Sequence, residues 1–335
     1  MNILLTGGAG YIGSHTAIAL SEAGYTVTIL DNFSNSHKSV LDRLEKIIGK
    51  KLAYINGDVR DTTLLIQIFE RYKFNAVIHF AGLKSVGESI QLPIEYYANN
   101  VEGTISLIQA LKVSNVKTLI FSSSATVYGD PKYVPLDEEH PIGPTNPYGR
   151  TKLHTEEMLK DLAGSDPSWR IVCLRYFNPV GAHHSGLIGE EPKGVPNNLL
   201  PFIAQVAAGK LSVLNVYGND YPTTDGTGVR DYIHVVDLAK GHLAALNYAS
   251  SHAGWEVFNL GTGHGFSVFE MLKAFELVSG KRIPYILCER RPGDVASCFA
   301  DVKKAKELLD WHAEKLLDDI CLSSWSWQKY RVTLS

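Results

Sequence analysis

Met1-Asn2-Ile3-Leu4-Leu5-Thr6-Gly7-Gly8-Ala9-Gly10-Tyr11-Ile12-Gly13-Ser14 is the stretch whose reading decides the fold. The first six residues are a short apolar run that reads as a buried strand, and a glycine cluster follows at once. Gly8, Gly10 and Gly13 satisfy G-x-G-x-x-G, while Gly7, Gly10 and Gly13 give the wider G-x-x-G-x-x-G spacing. Both fit a strand-to-helix turn in which glycine permits positive φ and lets backbone N–H groups approach a pyrophosphate. A helix over roughly 12–23 would then aim its positive end at that group. A lone glycine motif is equally compatible with a plain turn, so the next elements matter. Gly24 stops the helix, and a second apolar run, Thr26-Val27-Thr28-Ile29-Leu30, delivers Asp31 eighteen residues after Gly13. A carboxylate there would accept both hydroxyls of an adenosine ribose. A 2′-phosphate would face Asp31, and no Arg or Lys occurs before Lys38, so the pattern favours NAD over NADP.

Further strands keep the rhythm of a doubly wound sheet. Leu52–Ile55 ends in Gly57-Asp58, where Asp58 is either an adenine contact or a simple turn former. Ala76–Phe80 ends in Ala81-Gly82, Thr118–Phe121 in Ser122-Ser123-Ser124, and Arg170–Phe177 in Asn178. Helical spacing of apolar residues over 62–72 and 100–113 fills the intervals. Strands alternating with helices imply an α/β, mostly parallel, Rossmann-like sheet, and such sheets bind ligands at their carboxyl ends. Asp31, Asp58, Gly82, Ser124 and Asn178 all fall there, which points to one shared site.

Tyr148-Gly-Arg-Thr-Lys152 brings chemistry to that site. On one helix, residues four apart share a face, with about 6 Å of axial rise between them. A phenol with pKa about 10 is a poor base, and bringing it to about 7 takes roughly 4 kcal/mol. A unit charge at about 4 Å supplies roughly that at an effective dielectric near 20. Lys152 is therefore expected to depress the Tyr148 pKa, helped by the positive nicotinamide ring of NAD+. Y-x-x-x-K alone also occurs on many solvated helices, so its weight comes from its setting.

The bulk composition is permissive. At 335 residues and 45% hydrophobic content, the chain can bury a large core and carry an appended lobe. A net charge of −3 with no basic run argues against nucleic acid as a partner. The absence of an apolar stretch near eighteen residues argues against a membrane. The first strand begins at residue 2, which leaves no room for a signal peptide. Cys173, Cys288, Cys298 and Cys321 are scattered without metal spacing, so a reducing cytoplasm and no metal are expected.

From about residue 178 the pattern changes, so the expected division is a NAD-binding domain over 1–177 and a mainly substrate-binding lobe over 178–335, with some segments returning to the sheet. The lobe is expected to contain helices over 198–209, 237–249, 267–279 and 302–310 and strands near 211–217 and 255–260. The irregular stretches 129–147 and 178–198 either surround the substrate or form solvated loops. Arg230 and Arg291 are candidates to hold a second pyrophosphate, since a guanidinium grips phosphate oxygens in pairs. Ion pairs with Asp231 and Asp294 are the structural alternative. His183-His184 reads as loop, and His79 as a satisfied core histidine.

With the glycine turn, Ser124, Tyr148 and Lys152 in this order, the chain resembles the extended short-chain dehydrogenase/reductase family. Within it the chain looks like the branch that epimerises nucleotide sugars, over nearly its whole length. Thr6–His15, His79–Lys84, Ser122–Gly129, Arg175–Ala182 and Gly228–His234 carry the likeness. The resemblance implies a tightly held NAD, a UDP-hexose substrate, a transient 4-keto sugar and a homodimer formed through helices beside the catalytic one. It implies Tyr148 as base, with Lys152 and Ser124 as its catalytic partners. By similarity the cofactor set is Gly7, Gly10, Tyr11, Ile12, Gly13, Asp31, Asn32, Asn35, Ser36, Asp58, Val59, Phe80, Ala81, Gly82, Lys84, Asn99, Ser124, Tyr148, Lys152 and Phe177. Lys84, Ser124, Tyr148, Asn178, Asn198, Arg230, Arg291, Asp294 and Cys298 form the substrate set.

Three alternatives follow from the same start. Dehydration needs an Asp–Glu acid/base pair after the serine, where this chain has Ala125 and Thr126. Epimerisation or decarboxylation of UDP-glucuronate needs a carboxylate pocket, and a non-catalytic NAD sensor needs the fold alone. Cys298 stands where the family often has tyrosine. The smaller thiol would open space for a C2 acetamido group, so activity on UDP-GlcNAc/UDP-GalNAc is expected beside UDP-Glc/UDP-Gal.

Overall fold

The computed structural model describes residues 1–191, 198–291 and 293–334, so part of the 178–198 stretch and Pro292 lie outside the described residues. Seven parallel strands form the central sheet: β1 (Asn2–Thr6), β2 (Thr26–Asp31), β3 (Ala53–Asn56), β4 (Ala76–His79), β5 (Thr118–Ser124), β6 (Arg170–Tyr176) and a final strand, Gly254–Leu260. Their spatial order is Gly254–Leu260, β6, β5, β4, β1, β2, β3. The order reverses between β1 and β4, so the crevice beyond these two strands is the topological switch point where such sheets take ligands. Ile3, Leu5, Ile29, Ile78 and Val172 face one core cluster and Leu4, Leu30, Val77, Leu119 and Cys173 the other. Burial on both faces explains why these strands read as continuous apolar runs.

Helix α1 (Tyr11–Glu22) follows the glycine turn, and the Thr62–Tyr72 helix is capped by Asp61, whose carboxylate accepts the Leu64 N–H at 2.9 Å. The expected helix over 100–113 begins at Gly103, because Ala98–Glu102 takes a π turn. β5 runs three residues beyond the expected Phe121 and carries all three serines. Helices Ser39–Ile48, Val86–Gln91, Pro93–Tyr97 and Leu317–Leu334 were not foreseen in the sequence.

The lobe departs from expectation in one respect. The segments near 237–249, 255–260 and 302–310, assigned above to the lobe, belong with the sheet, the last through Ala305 and Leu309 of the Lys303–Leu309 helix. The Gly254–Leu260 strand extends the sheet beside β6, and the Val235–Ser251 helix buries Leu238, Ala245 and Leu246 in the core shared with α1. The elements that do form the lobe are helices Leu199–Ala207, Val268–Ser279 and Leu317–Leu334, packed through Leu200, Ile203, Met271, Phe275 and Ile320. A parallel strand pair, Leu214–Tyr217 with Tyr285–Cys288, and a three-stranded patch, Phe266–Ser267, Val229–Arg230 and Ser297–Cys298, complete it.

Six of the twelve histidines are buried. Burial lowers His15 and His79 to about 3, and His234 and His242 to about 4. His79 is satisfied on both ring nitrogens, by Thr6 Oγ1 at 2.6 Å and Thr104 Oγ1 at 3.0 Å, as a core histidine should be. The unfolded chain would bind protons near pH 6.5 that the folded chain refuses, so stability falls as pH drops below that value. Each such histidine contributes a slope of up to about 1.4 kcal/mol per pH unit. Urea unfolding at pH 7.5, 6 and 5 should show midpoints falling progressively with pH; a midpoint that stays constant would mean that these rings are not held neutral.

Candidate active site

The glycine turn is a close-packed object. Gly7 has φ +68°, and a Cβ there would lie 2.7 Å from the Ala81 nitrogen after β4. A Cβ on Gly13 would lie 2.6 Å from the Gly7 oxygen. Helix α1 therefore starts against the turn itself, with Gly10 as its N-cap, no side-chain cap and no acidic residue in its first turn. Backbone N–H groups are left to face an incoming anion. Asp31, at the end of β2, accepts the Ala9 N–H at 3.0 Å, the Phe33 N–H at 2.9 Å and the Ser36 hydroxyl at 2.9 Å. It thereby ties the turn to the next strand. These residues fit a dinucleotide: glycines where only backbone can pass, a helix N-terminus for its phosphates and a carboxylate for a ribose.

Around this cradle the expected cofactor residues divide. Asn32 donates to Asp58 at 3.0 Å, while Arg60 pairs with Asp58 at 2.8 Å and drives its carboxyl far below the usual range. Asn35 is exposed. Tyr11 turns its hydroxyl to the Gly181 carbonyl at 2.7 Å. Val59 is buried in the core, and the Phe80 ring packs 4.8 Å from His242, so only the Phe80 backbone borders the turn. Ile12 and Phe177 likewise pack into core clusters. Gly82 lies beside Asn100, a residue the sequence did not single out, which holds the strand end next to the expected cofactor residue Asn99. Asn100 accepts the Leu83 N–H at 2.8 Å, donates to the Leu83 carbonyl at 3.0 Å and donates to Thr151 Oγ1 at 3.0 Å. The π turn rotates the pair Asn99-Asn100 away from a regular helical register, which the sequence does not reveal.

Ser124, Tyr148 and Lys152 converge between β5 and the helix Pro147–Ser165. Asn146 caps that helix, accepting the Gly149 N–H at 2.9 Å, and Pro147 pre-sets its first turn. Burial pushes the Tyr148 hydroxyl up to about 12, and the Ser124 hydroxyl acts in the opposite direction. Lys152, expected to lower the phenol together with the ring of NAD+, is not among the groups of the protein alone that shift it. The ammonium sits 5.8 Å from the Tyr148 ring centroid and donates to the Ser122 carbonyl at 2.5 Å. Burial brings Lys152 itself down to about 8. Ser124 accepts the Thr126 N–H at 3.2 Å and its hydroxyl at 2.9 Å, and Ala125 carries no polar group.

On the lobe side, Lys84 and Asn198 meet through a residue that the sequence did not single out. Glu190 Oε1 accepts from Lys84 Nζ at 3.0 Å and from Asn198 Nδ2 at 2.8 Å. Arg230 and Arg291 share Asp294, at 3.8 and 3.0 Å, and the Arg291 guanidinium lies 4.8 Å from the Tyr217 ring centroid. Asp231 is not their partner. Fully buried, it accepts Thr262 N–H at 2.8 Å, the Thr262 hydroxyl at 2.7 Å, Gly263 N–H at 3.0 Å and Ala300 N–H at 3.2 Å, strapping loops together. Cys298 pairs in register with Arg230 and packs against the cluster that contains Phe177, its thiol raised to about 11 by burial. Asn178 is exposed in a short strand beside Tyr232. The His183 and His184 rings lie 4.1 Å apart and tilted by 38°, and His183 bonds Ser185 Oγ at 2.8 Å.

The family described as GDP-mannose 4,6 dehydratase matches residues 4–323. A UDP-glucose 4-epimerase of Bacillus subtilis is 55% identical over 332 residues, covering 99% of this chain and 98% of the relative. The crystal structure of UDP-glucose 4-epimerase from Stenotrophomonas maltophila with bound NAD and formylated UDP-arabinopyranose has a TM-score of 0.99 at 47% identity and covers all of both chains. The UDP-Glc/GlcNAc 4-epimerase of Campylobacter jejuni has a TM-score of 0.86 at 39% identity, covering 98% of this chain and 99% of its own. Ala125 and Thr126 stand where dehydration would need its acid/base pair. Matched end to end at such identity, the chain belongs to the UDP-glucose 4-epimerase family.

Proposed function

We propose that this protein is a NAD-dependent 4-epimerase that interconverts UDP-glucose and UDP-galactose through a transient 4-keto sugar. The observation that carries the reading is the meeting of Ser124, Tyr148 and Lys152 beside the glycine turn at the sheet's switch point. Gly7, Gly10 and Gly13 would hold the pyrophosphate of NAD, Asp31 its adenosine ribose, and Lys152 with Gly82 its nicotinamide end. When bound, NAD supplies a reversible acceptor for the C4 hydride and a positive ring that favours the Tyr148 phenolate.

Tyr148 accepts the proton of the sugar 4-hydroxyl and returns it when hydride has been restored to the opposite face of C4. Ser124 donates to the 4-oxygen and keeps it within reach of the phenol. Thr126 fixes the Ser124 hydroxyl from behind. Asn178, Asn198, Arg230, Arg291 and Asp294 hold the UDP moiety. Binding energy concentrated on that nucleotide leaves the hexose free to turn over, which a two-faced reaction requires. The NAD half and the substrate lobe thus divide the work near residue 177.

A second reading concerns substrate range. Cys298 is a small, partly buried side chain packed against the cluster that contains Phe177, and a thiol there takes less room than a tyrosine ring would, so UDP-GlcNAc and UDP-GalNAc are proposed as further substrates. The compartment proposed is the cytoplasm, where four free thiols stay reduced. No described helix is long and apolar enough to cross a membrane. A homodimer is proposed across the helices beside Pro147–Ser165, where Ile94 is 74% and Ile105 40% exposed.

Three measurements test these statements. Purified protein given UDP-galactose without added NAD should produce UDP-glucose, and Tyr148→Phe should keep its NAD while kcat falls about 10²- to 10⁴-fold. Near-normal turnover of the phenylalanine variant would remove Tyr148 from the reaction. Cys298→Tyr should lose activity on UDP-GalNAc while keeping that on UDP-galactose, and an unchanged ratio of the two would sink the pocket argument. Light scattering should give twice the 36.9 kDa chain mass, falling to one chain in an Ile94→Asp, Ile105→Asp variant; a wild-type monomer would refute the dimer.

A further inference from the structure

Behind the catalytic helix lies a buried ion pair for which the mechanism above has no use. Glu156 stands one turn beyond Lys152 on the same helix, and both side chains are buried. Its carboxylate accepts Arg175 Nη2 at 2.7 Å and Arg175 Nε at 3.1 Å, and it also accepts a short hydrogen bond from the Ser123 hydroxyl. Side-chain exposure is 2% for Arg175 and 3% for Glu156. Arg175 is itself held by Tyr128, whose hydroxyl accepts from Nη1 at 3.1 Å and donates to Asn259 Oδ1 at 2.6 Å, and by the Glu138 carbonyl at 3.3 Å. The pair thus clamps the Pro147–Ser165 helix to β5 and β6.

The clamp closes at an informative place. Ser123 lies between Ser122, whose carbonyl holds the Lys152 ammonium, and Ser124, which faces Tyr148. Holding Ser123 therefore sets both neighbours. Lys152 is also faced by the Phe121 ring at 4.9 Å from β5, by the Tyr148 ring on its own helix, by His79 from β4 and by Cys173 from β6. Burial keeps His79 neutral and the Cys173 thiol protonated, so Glu156 is the one anion among the groups that act on the Lys152 charge. Its influence opposes the burial that would otherwise discharge the lysine.

We propose that Glu156 is a positioning residue for the reaction, fixing the Ser122–Ser124 strand end through Ser123 and supplying the counter-charge that Lys152 faces, while Arg175 holds Glu156 in place. The inference rests on the reading that Lys152 acts with Tyr148 in its charged form. A salt bridge buried this deeply is seldom the most stable solution, since an apolar pair of similar volume often serves as well. Its retention beneath the proton-handling pair is explained by what it does for Lys152.

The test uses the NAD-loaded protein with ¹³C at lysine Cε, titrated by NMR, the Lys152 resonance being identified by its loss in Lys152→Met. The pH dependence of kcat for UDP-galactose is followed in parallel. Glu156→Gln keeps the shape but removes the charge. Glu156→Gln with Arg175→Met removes both charges and avoids an unpaired buried guanidinium that could prevent folding. Lys152 loses its proton more easily without Glu156, so its midpoint and the alkaline limb of kcat should move to lower pH together, by about one unit, a roughly tenfold change in the charged-to-neutral ratio. KM should stay within about twofold. A midpoint within about 0.2 units of wild type in a folded variant overturns the proposal, even if kcat falls, because that fall would then be purely structural. Full turnover by Lys152→Met would instead refute the Tyr148–Lys152 reading, and the NMR shift would still report whether Glu156 faces the lysine, so the two failures are distinguishable.

Discussion

Steric exclusion at the first turn is the constraint from which the rest of the site follows. Helix α1 can begin only where the Gly13 Cα passes the Gly7 oxygen, and β4 can end only where Ala81 passes Gly7. A single methyl group at either glycine would collide with backbone, which cannot move aside as a flexible side chain can. Because the turn is pinned by contact, two hydrogen bonds, from Gly7 N–H to the Leu30 carbonyl and from Ala9 N–H to Asp31, suffice to fix the end of β2 relative to it. Three strand ends thereby acquire a common geometry, and β5 inherits it through its pairing with β4.

Much of this was legible in the chain because it depends on local rules. The glycine spacing, the apolar runs and Asp31 at the close of β2 are short-range signals with direct physical causes. What could not be read depends on tertiary neighbours. The segment 254–260 has the pattern of a strand wherever it sits, so only packing against β6 assigns it to the sheet rather than to the lobe. Asn99 and Asn100 are chemically identical, and a π turn decides which is buried. Glu190 lies in an irregular stretch without periodicity, and its meeting with Lys84 spans more than a hundred residues.

The charge placement near Tyr148 was the least legible feature, for a clear reason. An i,i+4 spacing sets Cα positions, but a lysine side chain chooses among acceptors, and the Ser122 carbonyl on β5 lies within its reach. Burial then acts on both groups in the sense that disfavours charge, raising the phenol and lowering the ammonium. In the folded chain desolvation is the larger influence of the protein on either group. A network that keeps one buried anion near Lys152 is therefore consistent with the demand that the ammonium stay charged in an otherwise apolar setting.

An epimerase also has to reconcile rigidity with freedom, and this chain divides them between its two halves. Proton transfer requires a base fixed within hydrogen-bonding distance, and the Pro147–Ser165 helix is capped, buried and clamped to the sheet. Reversal of configuration requires that the sugar present both faces to the same acceptor, so the hexose cannot be gripped as tightly as the nucleotide. Arg230 and Arg291, proposed to grip the diphosphate, lie in the lobe, where both pair with Asp294. The side chains that follow Ser124 are Ala125, with no polar group, and Thr126, whose hydroxyl is turned to the serine. Placing strong polar contacts at the nucleotide and few near the sugar ring is what separates a reaction that turns its intermediate over from one that holds it still for elimination.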